Sequence, residues 1–424
     1  MRPSPVTIAI VRLGLVQSAI GALVMVATSL LNRIMVVEYA LPAALPAGLV
    51  AWHYAVQLSR PLSGHGSDRG RRRTPWIVGG MALLALGTLL AVDAVLVLGA
   101  GSAAGLLAAI LAFSMIGAGV GAAGTSLLAL LAATVPPERR AAAAATTWIM
   151  MVAGIAISAG VAGSLIDPFT PARLASVAGT VALAAFLLAL AAVHGVERAA
   201  LPPPPADAPV AFRAALAAVW QDAPARRFTL FVFMAMLAYA MQDLILEPFA
   251  GLRFGYTPGE STRLAGVQHG AVMLGMIATG LAGRHARGPL LIVAGCIGSA
   301  LALAGLAAAA LAGPGWPLAP TIALLGFANG VFAVAAIGAM MALASAGQGS
   351  AGIRMGLWGA AQAIAFGCGG LLGAIGVDAL RTIVAVPTAF LLVFAGEALL
   401  FLAAAWIATR VAPAPRVMLR KAMA

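Results

Sequence analysis

The chain has 424 residues, of which 62% are hydrophobic and 9% charged, and its formal net charge is +12. Soluble domains are about 45–50% apolar and about 25% charged, so the charges are too few to cover a water-facing surface, and a soluble enzyme is excluded. The positive balance is not a nucleic-acid footprint either, because the arginines stand in short clusters between apolar runs, which is how membrane topology is signalled.

A bilayer span needs roughly 20 apolar residues. Twelve such runs are predicted, near 14–39, 43–62, 75–97, 103–134, 142–165, 174–195, 227–250, 262–283, 288–312, 317–345, 354–377 and 383–410. The first run is too long for a cleavable leader and carries Asn32 and Arg33. Between the sixth and seventh runs lies one long polar stretch with four consecutive prolines, Pro202 to Pro205. Such a run favours an extended, semi-rigid linker over a helix. The predicted organisation is therefore an N-terminal six-helix half (1–196), a linker (197–226) and a C-terminal six-helix half (227–424). Twenty Lys and Arg residues fall on the side of the membrane that holds the linker and both termini, and four on the other. The excess of cations marks the linker side as cytoplasmic. Cys296 and Cys368 both lie inside apolar runs, so neither a disulfide nor a metal cluster is expected.

The halves carry traces of a repeat. Glu38 closes the first run and Glu247 the seventh, while Gly117 and Gly326 open matching G-x-x-x-G motifs in the fourth and tenth; both pairs are 209 residues apart. Glycines are also dense in the fourth and eleventh runs, where they let helices approach closely.

Polar groups inside the membrane are the functional candidates, because they are expensive there. The first run holds Arg33 and Glu38, and the seventh holds Asp243 and Glu247. Asp243 and Glu247 are four apart and share a helix face; Arg33 and Glu38, five apart, are not expected to. Pairing of Arg33 with Asp243 or Glu247 across the halves would make a latch, and the group admits either a structural clamp or a transport role. Glu397 stands alone in the twelfth run and is expected to be a packing contact or to face lipid. His53 and His269 occupy corresponding runs of the two halves. A neutral imidazole can ligate a metal, including the magnesium of a porphyrinoid, or can be a hydrogen-bonded core group. No H-E-x-x-H motif, Walker loop or Ser/His/Asp spacing occurs, so no catalytic residues and no enzyme activity are expected.

The loop after the second run reads Gly64-His65-Gly66-Ser67-Asp68-Arg69-Gly70-Arg71-Arg72-Arg73. It resembles the signature loop of the major facilitator superfamily, with one residue missing between Arg69 and Gly70. The resemblance implies an all-α fold of two six-helix halves, with Gly64, Asp68, Arg69, Gly70, Arg71 and Arg72 forming a conformational loop. Five further segments, Leu31–Glu38, Met241–Pro248, Gly266–Gly270, Ala328–Phe332 and Met355–Gln362, resemble the PucC/LhaA family of phototrophic bacteria, as does Arg72–Trp76. That resemblance implies a protein of the bacterial inner or photosynthetic intracytoplasmic membrane that handles bacteriochlorophyll, or a chlorophyll precursor, for assembly of light-harvesting antenna complexes. Its implied partners are antenna apoproteins, pigment-synthesis enzymes and membrane lipid, with no nucleic acid. Gln268, Trp358 and Gln362, in the matching segments, join His53 and His269 as pigment-binding candidates. The rival function is a proton-coupled exporter of a small hydrophobic solute.

Overall fold

The computed structural model describes residues 4–59, 72–199, 220–282, 288–346 and 351–411. Gly64, Asp68, Arg69, Gly70 and Arg71 of the signature loop lie outside them, as does most of the Pro-rich linker. Among the described residues the chain forms twelve helices. They are α1 (Pro5–Glu38), α2 (Ala44–Val56), α3 (Thr74–Gly99), α4 (Ala104–Thr134), α5 (Pro137–Leu165), α6 (Pro171–Val193), α7 (Ala223–Phe254), α8 (Pro258–Ala282), α9 (Gly288–Ala312), α10 (Leu318–Ala346), α11 (Ala351–Arg381) and α12 (Val386–Val411). Eleven are long and apolar enough to cross a membrane, so the protein is a multi-pass membrane protein. The exception is α2, expected over 43–62. Its α-helical part is 13 residues, about 20 Å at 1.5 Å per residue, and a short 3₁₀ turn, Gln57–Ser59, follows it.

Local chemistry sets the ends. Proline occupies one of the first two positions of α1, α3, α5, α6 and α7, where a missing N–H leaves no partner unsatisfied. Ser4 and Thr170 accept the N–H groups of Thr7 and Arg173 as N-caps. Gly255 closes α7 at φ 72°, the left-handed position that a side chain resists. Arg12 of α1 reaches the last carbonyls of α6, at Ala192 (2.9 Å) and Ala191 (3.3 Å). Glu197, just past α6, accepts the N–H groups of Arg73 and Thr74 at the start of α3. Burial alone would raise its carboxyl, but these two N–H groups and the Arg73 charge hold it below its usual value.

The apolar core divides at the polar stretch. One cluster gathers α1–α6 with Leu244 and Ala374, and a second gathers α7–α12. The halves meet along α5–α8 and α2–α11. Small residues bring α5 against α8: a Cβ on Gly163 would stand 2.7 Å from Arg263 N and 2.8 Å from Gly259 O. The two G-x-x-x-G motifs act alike within their halves. Gly117 of α4 rests on the His53 carbonyl of α2, and Gly326 of α10 rests on the Gln268 carbonyl of α8.

Candidate functional site

Two spans are irregular at their ends away from the linker. The first, α1, contains π-helical turns at Val26–Leu30 and Ile34–Glu38. The second, α7, was expected to be continuous, but it breaks into Ala223–Asp243 and Leu246–Phe254. Asn32 Nδ2 of α1 donates to the Leu244 carbonyl freed at that break, at 2.8 Å. Interrupted spans are where transporters place polar sites, and π turns mark such sites as well.

The second π turn overturns an expectation about Arg33 and Glu38. A π turn closes with an i→i+5 hydrogen bond, here from Tyr39 N to Ile34 O at 3.1 Å. The wider turn brings residues five apart onto one face, and Arg33 Nη1 meets Glu38 Oε1 at 2.5 Å. The ion pair of Arg33 is thus within α1, in place of the expected pair with Asp243 or Glu247. Arg33 still ties the halves together. Its side chain is only 2% exposed; its Nη2 donates to the Tyr256 carbonyl at 2.6 Å and its Nε to Ser261 Oγ at 3.1 Å. Both acceptors lie where α7 turns into α8. Glu247 is buried beside this group, accepting Ser29 Oγ across the halves and Thr262 Oγ1 at 3.4 Å.

The same end holds two more ties between the halves. Asp167, after α5, accepts Thr257 Oγ1 at 2.5 Å and the Gly259 N–H at 3.0 Å, at the N-terminus of α8. Asp378 of α11 accepts the Ala44 N–H of α2 at 2.7 Å. Ser29, Asp167, Tyr256, Ser261, Thr262 and Asp378 were not singled out from the sequence. They are ordinary polar residues at span ends, and only their partners distinguish them.

The histidines differ. A carbonyl can only accept, so each Nδ1 that meets one carries the proton and leaves the lone pair on Nε2. In His53, Nδ1 faces Val50 O at 3.3 Å and Nε2 meets Gln57 Nε2 at 2.8 Å, so its lone pair already has a donor. In His269, Nδ1 donates to Ala265 O at 2.9 Å. Exposed Arg263, Val267, Leu274 and Leu281 mark the outward face of α8. At 3.6 residues per turn His269 lies about 200° around the helix from Val267, facing the bundle interior at mid-span. Its neighbour Gln268 is buried with Nε2 unpartnered. Trp358 is a core anchor: Nε1 donates to Thr229 Oγ1 at 3.1 Å, and its ring sits edge-on to Phe228 at 4.8 Å. Gln362 is half-buried on α11.

Asp243 is not drawn into the Arg33 group, and its Oδ1 is buried without a hydrogen bond. Glu397, expected to be a packing contact or to face lipid, is fully buried, so it does not face lipid; neither carboxyl oxygen has a partner.

Residues 30–415 match the model of the family described as PUCC protein. The chain is 51% identical over 409 residues to the "Bacteriochlorophyll synthase 44.5 kDa chain" of Rhodobacter capsulatus, covering 96% of this chain and 95% of that one. It is 31% identical over 400 residues to "Protein PucC" of the same species, covering 90% and 85%. In structure it is similar to a POT family transporter solved with a thioalcohol-conjugated peptide, with a TM-score of 0.71 at 10% identity, covering 96% and 97% of the two chains. At that identity the likeness bears on the fold alone.

Proposed function

The chain belongs to the PUCC protein family, and on that premise we propose that it takes up bacteriochlorophyll, or a late precursor, inside a major facilitator bundle and passes it to light-harvesting apoproteins. The observation that carries this reading is the state of His269. Donation from Nδ1 to the Ala265 carbonyl orients the ring and leaves the Nε2 lone pair on the interior of the bundle. A backbone carbonyl behind the ligating ring is the usual support of a metal-bound imidazole, and a neutral imidazole suits the magnesium of a porphyrinoid. Gln268 supplies an unpartnered amide beside it for a carbonyl on the macrocycle. His53 leaves the site on the same reasoning, because Gln57 already uses its lone pair. A relative's name speaks of synthesis; handling is favoured for this chain because its polar groups gather where helices are interrupted and halves are tied, as in a transporter bundle.

The rest of the reading follows. The segment 197–226 joins the halves 1–196 and 227–424 on the cytoplasmic side of the inner or intracytoplasmic membrane. Arg33 with Glu38, and Glu247 beside them, clamp the halves at the opposite end. Antenna apoproteins are the recipients, and pigment-synthesis enzymes the donors.

The test compares His269→Phe with His53→Phe in a phototrophic host, reading the absorption spectrum of protein purified in mild detergent against circular dichroism. His269→Phe should fold and lose most co-purified pigment, while His53→Phe should keep it. Full pigment in His269→Phe overturns the assignment.

A further inference from the structure

The unpartnered acids of the C-terminal half stand together. Helices α7 and α12 run antiparallel, so Phe249 late in α7 packs on Phe390 and Phe394 early in α12, with centroids 5.0 and 5.1 Å apart. Further along, Phe332 of α10 bridges them, 6.5 Å from Tyr239 of α7 and 5.6 Å from Phe401 of α12. Four residues on from Tyr239 is Asp243; four residues back from Phe401 is Glu397. The register therefore sets the two carboxyls opposite one another, and the Asp243 charge acts on Glu397. Glu397 is fully buried, with neither oxygen hydrogen-bonded, and Asp243 Oδ1 is likewise buried and bare. Next to Asp243, Gln242 is fully buried with both amide atoms unpartnered.

Among the described residues the surroundings supply no countercharge. On α7, Tyr239 is a phenol and Glu247, beyond the break, is a third acid already served by Ser29 and Thr262. On α1, Arg33 is engaged with Glu38, Tyr256 and Ser261. From α2, the phenol of Tyr54 approaches Tyr239. The sequence of α10 contains no titratable residue. Among the described side chains, α9 adds the buried thiol of Cys296, and α11 adds exposed Cys368 and the pair Asp378–Arg381 at its outer end. On α12, Arg410 lies at the far end, over Trp406. Two adjacent carboxylates without a cation are costly where Glu397 is fully buried and Asp243 half-buried.

We propose that Asp243 and Glu397 form a proton-binding pair within the C-terminal half, and that its proton is exchanged when α7 and α12 part. Uptake converts a carboxylate and a proton into a carboxylic acid, whose new O–H is a donor for the facing oxygen or for the Gln242 carbonyl. Loss leaves two like charges pushing the helices apart and drawing in water. Asp243 is the last residue before the break in α7, so the charge acts where that helix bends toward the clamp between the halves. This goes beyond the pigment reading and is tested without pigment.

The experiment is infrared difference spectroscopy of purified full-length protein, stepped between acidic and alkaline buffer, with Asp243→Asn, Glu397→Gln and the double variant. At neutral pH the parent should show a protonated-carboxyl band that the double variant loses and each single variant shifts or weakens. Because each amide mimics a neutral acid, Glu397→Gln should melt as the parent does. If that variant fails to accumulate, Asp243→Asn alone carries the test. A band unchanged in the variants overturns the proposal. So does a sodium-dependent rise in melting temperature that is present in the parent and absent in Asp243→Asn, which would make the ligand a metal cation.

Discussion

Replacing Arg33 by alanine removes the centre of the clamp between the halves. The side chain donates to Glu38 at 2.5 Å, to the Tyr256 carbonyl at 2.6 Å and to Ser261 at 3.1 Å. Truncating one partner of a buried ion pair costs about 3–5 kcal/mol. The low end applies here, because the Glu38 side chain is 29% exposed and water can rehydrate it. Ser261 also keeps its own donations to Thr257 O and Pro258 O. The expected loss is about 3 kcal/mol for Arg33→Ala. Arg33→Lys keeps the charge but not the three-way fork, and should lose about 1–2 kcal/mol, the worth of one or two hydrogen bonds. The assay is equilibrium unfolding in mixed micelles, run as double-mutant cycles of Arg33→Ala with Glu38→Gln and with Asp243→Asn. Coupling should sit in the Arg33–Glu38 cycle and be near zero with Asp243, and a charge swap between Arg33 and Asp243 should recover nothing. Arg33→Ala within about 0.5 kcal/mol of the parent, the size of an ordinary surface change, would refute the reasoning. So would stronger coupling to Asp243 than to Glu38.

Gly163→Ala should destabilise the seam between α5 and α8 by about 1–3 kcal/mol, the usual range for overpacking, because the new Cβ meets backbone atoms of Arg263 and Gly259. Gly160→Ala on the same helix is the control, since its Cβ would meet nothing within 4 Å, and the same unfolding assay should show little change. A cysteine placed at Asp207, in the Pro-rich stretch, should resist a membrane-impermeant thiol reagent in intact cells and react after lysis; labelling from outside would reverse the topology.

Sequence alone determined the fold class and pointed to the neighbourhood of the candidate site. Run length against bilayer thickness is a local property, so each span was visible without its neighbours, and the motifs around Arg33, Asp243 and His269 marked where polar groups enter the membrane. The partners were not visible, because they are set by helix register and by local departures from the α-helix. A period of 3.6 residues keeps Arg33 and Glu38 apart, and only the π turn at Ile34–Glu38 joins them. His53 and His269 look equivalent as histidines of corresponding spans, yet a single side chain one turn on, Gln57, distinguishes them. Glu397 looked isolated because Asp243, the acid whose charge acts on it, is 154 positions away in the chain; only the antiparallel packing of α12 on α7 brings the two levels together. Hydropathy reports how much apolar length a segment has, whereas the direction a polar group faces, and what it finds there, is decided by tertiary packing.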